Sequence, residues 1–128
     1  TQAVLEGVSF AVRDMYEFAK KTGISLTSTM ICGGGAKSPL WRKMIANILN
    51  MRVDVPVSEE GPAMGAAMLA MVACGEYKTV KDAAKAIVKV AKSEEPEPEL
   101  VKKYEARYQQ FKTIYPAMRE IFGIISAQ

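Results

Sequence analysis

Three consecutive glycines, Gly33, Gly34 and Gly35, end the apolar stretch Met30-Ile31-Cys32 and lead into Ala36-Lys37-Ser38-Pro39-Leu40-Trp41-Arg42. Residues without a Cβ let backbone N–H groups come within hydrogen-bonding distance of a ligand. A helix opening at Pro39, where a missing N–H costs nothing, adds partial positive charge at its first turn. The junction therefore suits a phosphate. Lys37 either approaches that phosphate or stays solvated at the loop tip. A second segment, Glu59-Glu60-Gly61-Pro62-Ala63-Met64-Gly65-Ala66-Ala67-Met68-Leu69-Ala70, combines a helix start with closely spaced small residues. Gly61-Pro62 either presents N–H groups to the same ligand or only opens the helix. Glu59 and Glu60 either aid a metal–phosphate complex or simply favour the N-terminus they precede.

Two phosphate motifs with glycines fit poorly. A Walker A loop needs Gly directly before its lysine and another Gly five residues before that one, and Ala36 and Ile31 stand there. In a dinucleotide fingerprint Gly33 and Gly35 match the first two glycines and Ser38 occupies the third. The ribose-binding acidic residue after the second strand is replaced by Val57-Ser58, with Glu59 and Glu60 slightly late. One or two glycines would be explained by a tight turn alone; three before a helix favour binding.

The elements that must hold this loop are readable. Thr27 to Cys32 reads as a short strand, and Trp41, Met44, Ile45, Ile48 and Leu49 mark a helix that Asn50 ends. Val53, Val55 and Val57 alternate along a second strand over 52–57, and Pro56 implies that pairing stops there or that the strand lies at an edge. Strand, helix, strand over about thirty residues is a βαβ unit with parallel strands, and ligands bind at strand carboxyl ends, where the glycines lie. Before the unit, Val4, Leu5, Val8, Ala11, Val12, Met15 and Ala19 form a helical stripe stopped by Gly23. After it, Pro62 to Cys74 is apolar nearly all round and reads as a buried helix closed by Gly75. Thr79 with Asp82 resembles a capping box. The helix it opens has Val80, Ala83, Ala84, Ile87, Val88 and Ala91 inside and Lys81, Lys85, Lys89 and Lys92 outside. Ser93 to Glu99 is a stiff polar connector. A helix from Leu100 to Phe111 breaks at Tyr115-Pro116, and Met118 to Ile125 forms a last one.

The glycine loop, with the late helix after Glu59-Glu60, resembles the adenosine-binding loop and late core helix of the FGGY carbohydrate kinases, the xylulokinase branch most of all. The resemblance covers essentially all 128 residues, including Leu5-Glu6-Gly7-Val8-Ser9-Phe10 and the Tyr104 to Met118 region. It implies an α/β fold, part of the ribonuclease H-like C-terminal domain of the actin, Hsp70 and sugar kinase superfamily: a βαβ unit with additional helices. It also implies a nucleotide-binding domain over residues 1–128, truncated at its N-terminal side. Gly33, Gly34, Gly35 and Ala36 would give backbone contacts to adenosine and α-phosphate, with Ser38 and Pro39 flanking adenine or ribose. ATP and Mg2+ are the implied cofactors. The implied reaction is phosphoryl transfer to a ketopentose held mainly by an upstream domain, with D-xylulose as the first reading. Gluconate, ribulose, rhamnulose or glycerol as acceptor, or a non-catalytic helical interaction module, are the alternatives. None of Asp14, Asp54 and Asp82 matches a family catalytic aspartate.

Composition limits the rest. A net charge of +3 without basic runs or interleaved aromatics gives no support to a nucleic-acid partner. The absence of histidine removes imidazole chemistry. The longest mostly apolar run is too short for a membrane span. Thr1 to Lys21 reads as an amphipathic helix and not as a secretory leader, and Cys32 and Cys74 in apolar segments read as buried reduced thiols of a cytoplasmic protein. Two strands are too few for this much helix, so either the missing strands precede Thr1 or a neighbouring molecule, as in a homodimer, replaces them.

Overall fold

A computed structural model describes residues 1–58 and 61–127. The order is α1 (Gln2–Lys21), β1 (Ser28–Met30), a 3-10 turn (Gly34–Lys37), α2 (Pro39–Leu49), β2 (Arg52–Pro56), α3 (Gly61–Ala73), α4 (Val80–Ile87), β3 (Val90–Glu94) and α5 (Pro98–Ser126).

The βαβ unit is present. β1 and β2 pair in parallel, with Ser28 opposite Arg52 and Met30 opposite Asp54. α2 crosses between them with Met44, Ile45 and Ile48 buried. Its end follows from Asn50, which adopts the left-handed conformation at φ 48°, a geometry asparagine tolerates better than most residues.

The sheet has a third strand. β3 pairs antiparallel with β2, so β2 is central and not an edge. Pro56 does not stop the pairing: the ladder shifts register between Val55 and Pro56, and Pro56 lies opposite Val90. A bulge is one of the few places a ladder accepts proline. β3 takes residues assigned above to a longer helix and a connector. α4 ends at Ile87, which puts Lys89 and Lys92 outside it. Thr79 does cap α4, its hydroxyl oxygen accepting from the Asp82 amide at 3.2 Å.

Two clusters form the core. Phe10, Met44, Ile48 and Tyr108 make one, where α1, α2 and α5 meet, and Ile45, Ala46 and Val53 make the other, between α2 and the sheet. The face α1 packs is centred on Ser9 and Phe10, while Val4, Val8, Val12 and Met15 of the expected stripe are exposed. The position of α5 explains the difference: its Tyr104, Tyr108 and Phe111 rings stand 5.3–6.3 Å from Phe10. α5 runs unbroken through Pro116. The carbonyl that proline leaves without a helical donor lies on an exposed stretch, open to water.

α3 is also unlike its expectation. It buries no residue within this chain, and Leu69 is 61% exposed. Among the described residues its main packing partner is α4. Cys32 and Cys74 are likewise exposed, not buried. No helix among the described residues is long and apolar enough to cross a membrane.

Candidate functional site

The site begins where the chain leaves the sheet. The Ile31 amide still donates to the Asp54 carbonyl at 2.9 Å, and the backbone then turns at Gly33, with φ 83° and ψ −172°. L-residues rarely hold that φ, so glycine is required here by conformation. The following turn is closed by Ala36 N–H to the Gly33 carbonyl (3.1 Å) and Ser38 N–H to the Gly35 carbonyl (3.2 Å). Neither the Gly34 nor the Gly35 amide donates to an acceptor among the described residues. Two adjacent donors are thus left at the carboxyl end of β1, where an anionic ligand would meet them.

Each loop residue has its own surroundings. A Cβ on Gly33 or Gly34 would meet nothing within 4 Å, so the backbone there is open to approach. At Gly35 a Cβ would stand 2.4 Å from Cζ3 of Trp41, so this glycine is demanded by packing. Ala36 is buried. Ser38 caps α2, its hydroxyl oxygen accepting from the Trp41 amide at 3.3 Å, and Pro39 occupies the first helical turn. The helix start thus uses its own cap, and the loop amides are the better donors for a ligand.

Beside the loop lies a cleft of about 340 Å³. Gly33, Ala36 and Lys37 line one side; Val55 to Ser58, just past the end of β2, and Ala91 with Lys92 from β3 line the other. Gly34, Gly35, Ser38 and Pro39 stand outside this lining. Lys37 and Lys92 are the basic side chains of this lining beside Arg42, whose charge is paired with Glu94, and no carboxylate lines the cleft among the described residues. The electrostatics suit an anion. The second motif meets the first: a Cβ on Gly61, the first residue of α3, would lie 2.7 Å from Cys32 Sγ. Glu59 and Glu60 lie outside the described residues.

Arg42 went unassigned in the sequence, as did the β3 wall. Arg42 is 6% exposed. Its Nη1 donates to the Ala36 carbonyl at 2.7 Å and its Nε to Glu94 Oε1 at 3.1 Å. A charged residue among the apolar positions of α2 was the available signal, since such a group is buried only with partners. β3 left no comparable signal. No group of three or more His, Cys, Asp or Glu side chains that could hold a metal occurs among the described residues.

Comparison with known proteins gives consistent results. The model of the FGGY family of carbohydrate kinases, C-terminal domain, matches residues 1–74. The chain is 33% identical over 120 residues to the xylulose kinase of Bacillus subtilis (strain 168), covering 94% of this chain and 24% of that protein. It is 32% identical over 128 residues to the ribulokinase of Anoxybacillus flavithermus, covering 95% of this chain and 22% of that one. Among solved structures, a xyloylose kinase from Brucella ovis superposes with a TM-score of 0.81 at 36% identity, over 94% of this chain and 25% of that chain. The chain spans about a quarter of the length of the relatives it matches.

Proposed function

The chain belongs to the FGGY family of carbohydrate kinases, and from that premise we propose that it forms the nucleotide-binding portion of an ATP-dependent sugar kinase. The observation that carries the reading is the pair of unspent amides at Gly34 and Gly35, beside the Cβ-free backbone of Gly33 and Gly34. The α-phosphate lies against those amides. The cleft behind them, lined by Gly33, Ala36 and the end of β2, takes the adenosine. Ser38 and Pro39 border the base or ribose through the backbone at the start of α2.

Bound ATP supplies the phosphoryl group, and this chain's part is to hold and orient the nucleotide between the loop amides and the cleft. Mg2+ travels with the phosphates, since the described residues offer no carboxylate cluster and magnesium commonly keeps phosphate and water ligands. The acceptor is a ketopentose held by residues upstream of this chain. Xylulose kinases at 33–35% identity support D-xylulose, converted to D-xylulose 5-phosphate. The ribulokinase at 32% identity supports a second reading with a related acceptor. The test is amide exchange of the full-length protein with and without ADP. Protection concentrated at residues 33–38 is expected, and unchanged exchange there would overturn the assignment.

A further inference from the structure

We propose that Arg42, anchored by Glu94, is a positioning residue that fixes the glycine loop in its ligand-ready form. The proposal rests on the nucleotide reading of the loop and goes beyond it. Arg42 stands in the first turn of α2 and lies almost wholly out of water. Taking a guanidinium out of water is costly unless it is paired and hydrogen-bonded, so its partners define its role. One is a backbone carbonyl inside the turn, that of Ala36, at 2.7 Å. The other is a carboxylate on β3, Glu94 Oε1, at 3.1 Å from Nε.

The geometry makes this more than a core contact. A peptide unit is planar, so holding the Ala36 carbonyl fixes the plane between Ala36 and Lys37. That plane is the last but one of a turn whose earlier amides, at Gly34 and Gly35, are the unspent donors. Three glycines in sequence have more freedom than any other tripeptide and would sample many orientations of those donors. The bond from Arg42 removes that freedom in advance, as a preorganised binding loop requires. A guanidinium suits the task because its rigid fork can serve two acceptors in different directions. Glu94 belongs to the strand that also gives Ala91 and Lys92 to the cleft. It lies beyond residues 1–74, the span of the family match. The loop inside that span is therefore tied to a strand outside it.

Arg42→Lys and Glu94→Gln in the full-length protein test this. Four quantities are read: melting temperature, exchange of the loop amides without nucleotide, ADP affinity and the KM for xylulose. Arg42→Lys is expected to speed exchange at Ala36 and Ser38 about tenfold and weaken ADP about tenfold. The xylulose KM should stay within twofold. Glu94→Gln, which keeps a neutral acceptor, should show the same split with a smaller change, and it serves if Arg42→Lys fails to fold. A merely structural pair would lower the melting temperature and leave both the loop exchange and the ADP-against-xylulose split unchanged; that result would overturn the proposal. Faster loop exchange with wild-type ADP affinity would overturn the nucleotide reading of the loop, and with it the ligand-positioning role of Arg42.

Discussion

Gly35 lies flat against the indole of Trp41: a Cβ built on it would come 2.4 Å from Cζ3 and 2.8 Å from Cε3. The ring cannot easily retreat, because its Nε1 donates to Ser9 Oγ at 3.0 Å, and that hydroxyl donates in turn to the Leu5 carbonyl. Gly35→Ala is therefore expected to destabilise the protein by about 1–3 kcal/mol through overpacking. In a Trp41→Leu background the penalty should shrink, since the obstructing ring is gone. A double-mutant cycle from chemical denaturation checks this. Equal penalties in both backgrounds would show that Trp41 is not the obstacle.

Gly34 allows the ligand question to be asked without that interference. A Cβ there meets nothing within 4 Å, and Gly34 is not among the glycines with positive φ. Gly34→Ala should leave stability within about 0.5 kcal/mol. In the full-length enzyme the added methyl should raise the KM for ATP about tenfold, equivalent to about 1.4 kcal/mol, and leave the sugar KM unchanged. Separate KM values for the two substrates decide it; an unchanged ATP KM would count against phosphate contact at this residue.

What the sequence discloses and what it hides follow from the range of the forces involved. The loop, α2 and β2 are legible because glycine conformation, a proline at a helix start and alternating valines act within a few residues. β3 is hidden because Val88 and Ala91 also continue the helical stripe of α4 while Ser93 and Glu94 read as a polar connector. Only pairing across the sheet, Val53 with Glu94 and Asp54 with Ser93, decides for strand. Phe10 against Tyr108, like Arg42 against Glu94, joins residues distant in sequence, and no local pattern discloses such pairs. The site is half legible for the same reason. Gly33 and Ala36 do line the cleft, whereas Lys92 enters it from a strand the pattern did not disclose.

Alkaline pH should weaken the helical cluster. Tyr108 is buried, its hydroxyl donates to Asp14, and the Asp14 carboxylate beside it adds to the effect; together these push its pKa well above the ordinary 10. The folded protein thus keeps a proton that the unfolded chain releases. The stabilisation is complete below pH 10 and is lost as pH rises toward the folded-state value. Tyr104 moves the same way, through burial first and Glu6 second. Denaturation midpoints measured upward from pH 9 should fall for wild type and fall less steeply for Tyr108→Phe. At neutral pH that variant should lose about 0.5–1.5 kcal/mol, because a hydrogen bond to the exposed Asp14 is exchanged for one from water. Parallel alkaline limbs would exclude Tyr108 as the group responsible.

The isolated 128-residue chain should associate with itself. α3 is apolar nearly all round yet has no fully buried residue, and among the described residues it packs mainly on α4. Apolar surface of that kind left in water favours covering by another copy. Light scattering is expected to show mass above the monomer, reduced in Leu69→Lys, whose site is 61% exposed. A monomer with a sharp thermal transition would contradict this.

The same chain should be catalytically silent even when it binds nucleotide. Phosphoryl transfer needs an acceptor hydroxyl held in line with the γ-phosphate and a carboxylate or other group to orient it. The aspartates have other duties. Asp14 accepts from Tyr108. Asp54 is buried, accepting from Ser93 at 2.6 Å and from Arg52 at 3.2 Å. Asp82 accepts from the Thr79 hydroxyl at the start of α4. None of the three lines the cleft beside the glycine loop. Lys37 and Lys92 line that cleft as cations, and a cation does not take a proton from a sugar hydroxyl. Closure around two substrates, which would exclude water, also needs a second domain facing this one. ADP should bind weakly, since part of its contacts would come from that domain. A coupled ADP-release assay should show no xylulose-dependent turnover above background until the upstream polypeptide is added. Turnover by the isolated chain would place the acceptor-orienting group within it.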